Sequence, residues 1–560
     1  MNLPGKLVTL ASCAMLLISC KGEEPSSDTH LVSNPMLKFA PANTPYLLAN
    51  LEETPAEVVD AYLAIMQPGL DLLQSMAQER QQEDPDITGH TDAATRLFSA
   101  ALAELDGKLN RAGMESLGLS LQSHKAFYGM GMFPVFRVGL HDTAAFEATM
   151  SRIEERAGVT LPQIDTGAAQ YWKFSAEDQP LAVYMHIAEE HLAIGVWPVD
   201  SENSFLPDFL GQGSTQLEAA HTQSLAQLNR DKEFTAFGSG YVDFRLMKQE
   251  MLDAESVTNR SLVPLGVQPH AQFEPICAVE FDEITDRVPR MVTGLTELSG
   301  ERVEALYQFE MNESLGRALA LLVTDTPPAS KDENHVLAMA FALQIGKVRD
   351  YLLEKASDRI ANRYQCSALQ TLNELADQTF SSLNRPLPPF AGNLNGFRMM
   401  LTEMDFENPE PQTSRGLMVV EVEKPQMLVG TAQMFIPGLD GINLVPGAGP
   451  VEIPPEMLGI EMGESSLFAA MTNDSVGVGV GIDEGQELDQ FINASGNETG
   501  AFLSVGYDME AQKALEKRLS EMASDLDTSS MQSVALRHTY MSMHFTPAGL
   551  TIRSAFSLRP

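Results

Sequence analysis

Apolar and polar residues follow the same order twice along this chain, and the repetition is legible segment by segment. The run Leu181-Ala-Val-Tyr-Met-His-Ile-Ala-Glu-Glu-His-Leu-Ala-Ile-Gly-Val196 reads as two apolar strands about a polar turn, with a short helix after it around Phe205 to Gly211. Its counterpart is Leu467-Phe-Ala-Ala-Met-Thr-Asn-Asp-Ser-Val-Gly-Val-Gly-Val480, with Leu488 to Ile492 as the helix. Next, Phe234-Thr-Ala-Phe-Gly-Ser-Gly-Tyr241 matches Gly500-Ala-Phe-Leu-Ser-Val-Gly-Tyr507, each ahead of a helix. Both copies close on a hairpin, Arg290 to Gly300 with Val303 to Phe309, and Tyr540 to Gly549 with Leu550 to Phe556. The openings, Tyr46 to Leu51 and Val336 to Phe341, agree more weakly.

Helix signals fall between these strands. Thr54, Pro55 and Glu57 form a capping box ahead of a stripe of Val58, Val59, Tyr62, Leu63, Met66, Leu70 and Leu73. The strand Val135 to Leu140 precedes Asp142 as cap and a helix carrying Phe146, Met150 and Ile153, which Gly158 ends. Leu417 to Val422 and Pro425 to Ile436 repeat that order. Thr326 to Asn334 is a linker by composition. Helices mixed with antiparallel hairpins predict an α+β fold of two tandem diverged repeats, over residues 37–325 and 335–560.

The N-terminus differs in kind. Lys6, an apolar run from Leu7 to Ile18 and then Ser19-Cys20 form an export signal too short to span a bilayer. Leu17-Ile18-Ser19-Cys20 resembles the lipobox of bacterial lipoproteins. The resemblance implies removal of residues 1–19 and lipid attachment at Cys20. Several acyl chains, at about 0.8 kcal/mol per buried methylene, hold a protein on a membrane permanently. By analogy with Gram-negative sorting, Lys21 implies the outer membrane, with the body on the periplasmic face. Residues 20–36 are polar and read as a flexible tether. Pro41-Ala-Asn-Thr-Pro-Tyr46 and Tyr128-Gly-Met-Gly-Met-Phe-Pro-Val-Phe-Arg-Val138 resemble uncharacterised Gram-negative envelope lipoproteins, a likeness that implies no activity and transfers no site residue.

The net charge of −39 repels phosphate backbones and excludes nucleic acid as a partner. Four cysteines are present. Cys13 leaves with the signal and Cys20 takes the lipid, so Cys277 and Cys366 remain for a disulfide in an oxidising compartment, or as two buried thiols. A bridge would join the two copies.

No nucleophile elbow, zincin or phosphate-loop motif is present. Gly477-Val-Gly-Val-Gly481 alternates as a tightly packed strand does. Asp84-Pro-Asp86-Ile-Thr88-Gly89-His90-Thr-Asp92 fits a calcium loop at several positions, but Thr95 stands where the bidentate acid belongs, so a solvated loop is expected. A turn at Ala188-Glu189 would set His186 opposite His191 at an exposed hairpin tip, too few ligands for zinc. The sequence therefore predicts no cofactor, no metal and no catalytic set. Methionine is abundant, at 29 residues, and pairs such as Met130/Met132 and Met541/Met543 alternate along strands. Thioethers of this kind fill a core or line an adaptable apolar surface. The expected role is a non-enzymatic binding protein for an envelope partner or an apolar ligand. A hydrolase with a site assembled from distant residues and a purely structural scaffold are the alternatives.

Overall fold

The computed structural model describes residues 33–63, 67, 70, 93–175, 179–212, 217–388, 391–404, 414–458, 466–481, 485–509, 511 and 536–558. Cys20, Lys21 and the acidic loop from Asp84 to Asp92 lie outside them. Helices and antiparallel strands make up both of two compact units, one running to Tyr307 and the other beginning at Gln308.

In the first unit the strands are β1 (Tyr46–Ala49), β2 (Lys125–Met130), β3 (Phe133–Gly139), β4 (Gln163–Asp165), β5 (Gln170–Phe174), β6 (Leu181–Ala188), β7 (His191–Pro198), β8 (Ser239–Asp243), β9 (Arg290–Leu298) and β10 (Arg302–Glu310), whose last three residues run past the boundary at Tyr307. They pair in the order β4-β5-β6-β7-β3-β2-β1-β8-β9-β10. The β6–β7 turn falls one residue later than the sequence suggests. Ala188 faces His191, so Glu189 and Glu190 make the turn and His186 faces Ala193. Glu189 takes a left-handed φ of 55° there. Both histidines are buried rather than exposed at a tip. Met132 likewise lies in the β2–β3 turn and does not share a strand face with Met130.

One face of this sheet carries the core. Trp197 stacks on Phe205 with centroids 3.9 Å apart, and Tyr184 and Phe209 meet them edge-on. Each such ring contributes roughly 1.5–3 kcal/mol through burial. The helix Thr143–Ala157 is set by local signals: the Asp142 carboxylate accepts from Ala145 N at 2.9 Å, and Gly158 turns left-handed at φ 61°. Phe146 packs it on Val138, Leu140 and Leu192. Of the predicted stripe, Val58, Val59, Leu63 and Leu70 are buried.

The second unit holds β11 (Leu337–Phe341), β12 (Leu394–Glu403), β13 (Arg415–Val422), β14 (Val451–Glu452), β15 (Leu467–Met471), β16 (Ser475–Val480), β17 (Ala501–Asp508), β18 (Leu536–Thr546) and β19 (Gly549–Leu558). Their order is β14-β15-β16-β13-β12-β11-β17-β18-β19. Leu488 and Ile492 of the helix Gln486–Asn493 pack on Leu417, Val419 and Ala470. Gly477 makes that contact close, since a Cβ would stand 3.0 Å from Leu488 Cδ1 and 3.2 Å from both Ile492 Cδ1 and Val419 Cγ2.

The unit boundary lies earlier than the linker read from composition. Met311 N donates to Ala548 O, and Gly316 sits against Pro547 O, so the chain after Tyr307 packs on the β18–β19 hairpin. The stretch from Thr326 to Asn334 is also no loose linker. Thr326 is fully buried, and Ala329 N donates to Ser504 Oγ at 2.7 Å. Cys277, in the helix Pro275–Arg287, and Cys366, just before the turn Ser367–Leu369, are fully buried and disulfide-bonded.

Candidate functional site

Two constellations stand out, one polar and sealed, the other apolar and open. The polar one centres on Arg137 at the middle of β3. Alanines flank it on both neighbouring strands, Ala126 on β2 and Ala193 on β7, and their small side chains leave room for the guanidinium. Arg137 is 0% exposed. Its Nε donates to Tyr128 Oη at 2.9 Å, Nη1 reaches His191 Nε2 at 2.7 Å, and Nη2 donates to the Phe209 carbonyl at 2.6 Å. The Phe39 ring covers it at 3.8 Å. His186 Nδ1 bonds the Gln170 carbonyl at 2.7 Å.

Electrostatics fix the protonation states. Burial first, then the Arg137 charge, pushes His191 down to about 3, so its Nε2 is a neutral acceptor for the guanidinium. Burial lowers His186 as well and raises the Tyr128 phenol. All three guanidinium nitrogens are engaged by protein atoms. The cluster therefore acts as a rivet that ties the short helix Leu206–Phe209 to the sheet, through the carbonyl of its last residue.

In the second unit the buried Arg398 faces the half-buried Glu421, with Nε and Oε1 3.5 Å apart, too far for a hydrogen bond. Burial lowers the Arg398 guanidinium and raises the Glu421 carboxyl despite their attraction. Thr326 hydrogen-bonds that carboxylate.

The open constellation is a sheet face of the second unit. Register sets Met541 opposite Val505, Val505 opposite Met339, Met339 opposite Met399, Met399 opposite Met418, and Met418 opposite Val478. Directly opposed residues share a face at about 4.5–5.5 Å between Cβ atoms, so four thioethers and two valines make one row across β18, β17, β11, β12, β13 and β16. The opposite face carries fully packed Ala338, Ala340, Arg398 and Val419, whereas the methionine row is half-buried and Met418 is 39% exposed.

Next to the row, a helix contacts β13 and β16. It spans Pro425–Phe435, with Pro425 at its first turn and Pro437 beyond its end. From Pro425 to Val451 the only ionisable residue is Asp440. Met434 is 82% exposed and Phe435 80%, with Ile436 and Val445 exposed beyond them. Gln433 Nε2 holds this tip in place through the Leu439 carbonyl at 3.1 Å and the Ile442 carbonyl at 3.2 Å. Single exposed apolar residues are ordinary, whereas here three consecutive ones are exposed in a segment with a single ionisable residue.

Two cavities of the first unit, about 490 Å³ along Arg245, Lys248 and Asp253 and about 340 Å³ along Thr160, Lys173 and Ser175, bring no histidine, cysteine or carboxylate pair together. Lys248 and Arg245 are held by Asp282 and Asp286. Sequence reasoning missed Arg137 and most of the methionine row, because strand register alone brings them together. Among the described residues no helix is long and apolar enough to cross a membrane. No protein-family model, curated protein or solved structure matches the chain.

Proposed function

We propose that this is a lipid-anchored envelope protein, tethered through Cys20 at the periplasmic face of the outer membrane, that binds an apolar ligand or envelope partner without catalysing a reaction. The observation that carries the reading is the uncharged, exposed tip Met434-Phe435-Ile436, at the end of a helix that contacts β13 and β16, two strands of the methionine row. Covering Phe435 and Met434 would contribute a few kcal/mol, at roughly 1.5–3 kcal/mol per side chain removed from water. Thioethers adapt their shape to varied apolar partners, as a broad binding surface needs. Among the described residues the Arg137, His191 and Tyr128 cluster is buried and its polar atoms are engaged by protein partners, which favours binding over hydrolysis.

We further propose that the two units are diverged copies of one ancestral unit. In support, β5-β6-β7-β3-β2-β1-β8-β9-β10 and β14-β15-β16-β13-β12-β11-β17-β18-β19 follow the same order of chain connection. The copies have since parted in their surfaces, and the methionine row belongs to the second. The test is a fluorescent apolar probe such as N-phenylnaphthylamine, titrated into the wild type and into a Met434→Glu, Phe435→Glu variant. The reading expects saturable binding that the variant weakens at least tenfold. Equal binding by both proteins would remove the surface from the account.

A further inference from the structure

A second feature of the second unit is unrelated to the apolar face. His335 lies just before β11, and His538 is near the start of β18. Both imidazoles are buried, at 4% and 3% exposure. Their Nε2 atoms stand 3.2 Å apart, and the rings meet at 84° with centroids 4.9 Å apart.

The two distances fit one construction. Two imidazole nitrogens bound to a single ion at about 2.0–2.1 Å, with an angle near tetrahedral, lie roughly 3.2–3.4 Å apart. Rings aimed at that common ion have centroids roughly 5 Å apart, whereas rings aimed straight at each other across the same gap would be about 5.5 Å apart. As a direct N–H···N bond, 3.2 Å is at the long limit.

The surroundings suit a cation. Gly506 leaves the approach open: a Cβ there would stand 2.9 Å from His335 Nε2, 3.3 Å from His538 Cε1 and 3.4 Å from the Ser330 carbonyl oxygen. That carbonyl is an oxygen donor at the rim of the same gap. Asp332 acts on His335 electrostatically, and Asp508 is the cross-strand partner of His538.

We infer that His335 and His538 form a two-histidine site for a late first-row divalent cation, completed by water and the Ser330 carbonyl. Imidazole ligands select zinc, nickel or copper over calcium or magnesium, and copper(II) binds such donors most tightly. Metal binding requires neutral imidazoles and therefore weakens in acid.

The test is calorimetric titration of the full chain with Cu²⁺ near pH 7.5, free thiols alkylated beforehand, with electron paramagnetic resonance of the one-to-one complex. The expected result is one tight site with coupling from two imidazole nitrogens, weakened at least tenfold by His335→Gln with His538→Gln. Gly506→Ala keeps both histidines, fills the gap, and is expected to weaken the site too. Circular dichroism shows that each variant is folded. An isotherm unchanged in the double variant, or no tight site in the wild type, would mean that the two rings only hydrogen-bond each other, and the inference would fall.

Discussion

Replacing Arg137 with Met keeps the apolar stem and removes the guanidinium, which tests the rivet in the first unit directly. Three bonds of 2.6 to 2.9 Å are lost. Hydrogen bonds to a charged group contribute about 1.5–3 kcal/mol each, and the partners left behind, Tyr128 Oη, His191 Nε2 and the Phe209 carbonyl, are buried. Against this loss stands the relief of no longer burying a cation. Each buried neutral partner left unsatisfied costs about 1–3 kcal/mol, partly offset by that relief, so the expected fall in unfolding free energy is about 3 kcal/mol. Arg137→Lys should lose most of the same amount, because a point charge cannot reach three diverging acceptors. The assay reports on one unit only: the chain has two tryptophans, Trp172 on β5 and Trp197 on β7, both in the first unit. Urea unfolding followed by tryptophan emission therefore reads its stability. A loss below about 1 kcal/mol, or a gain, would show that packing alone holds the Leu206–Phe209 helix in place.

Further outcomes follow from the same geometry. His191 titrates near 3 when folded against an ordinary 6.5, so between those values the unfolded chain binds the extra proton. Stability present above pH 6.5 is then lost on acidification at up to about 1.4 kcal/mol per pH unit, and His191→Gln should flatten that slope in tryptophan-monitored unfolding. The Cys277–Cys366 bond closes a loop of about 90 residues, so its reduction should cost on the order of 4 kcal/mol; two thiols open to alkylation in the unreduced native protein would contradict the bond. At Gly195 an added methyl would lie 2.1 Å from Trp197 Cζ3. Gly195→Ala should cost about 1–3 kcal/mol through overpacking and shift the tryptophan emission, and an unaltered spectrum would count against the tight contact. A Cys20→Ala form should leave the membrane fraction, as judged by detergent partitioning, if the thiol carries the lipid.

Much of the fold was legible where the signal is local. Asp142 and Gly158 fix both ends of one helix through contacts a few residues away, and the hairpins β6–β7, β9–β10, β15–β16 and β18–β19 declare themselves by alternation and turn residues. Turn position was less secure: Ala-Glu-Glu-His accommodates two adjacent turns, and burial of His186 and His191 decides between them through the pairing of β7 with β3. Thr326 to Asn334 has the composition of a linker, yet it is pinned by Ser504, 175 residues from Ala329, which no local pattern can announce. For the same reason the abundance of methionine was visible in the sequence, but its order across six strands was not. Arg137 looks like any polar residue alternating along a strand, and only the alanines of two other strands and the carbonyl of Phe209 make it an interior group.

The proposed binding role meets its most direct test in native mass spectrometry of the protein released gently from its own envelope, alongside the Met434→Glu, Phe435→Glu variant. The account predicts a mass excess from a retained apolar ligand or partner polypeptide on the wild type, and bare protein for the variant. Bare protein in both preparations, or the same adduct on both, would contradict it.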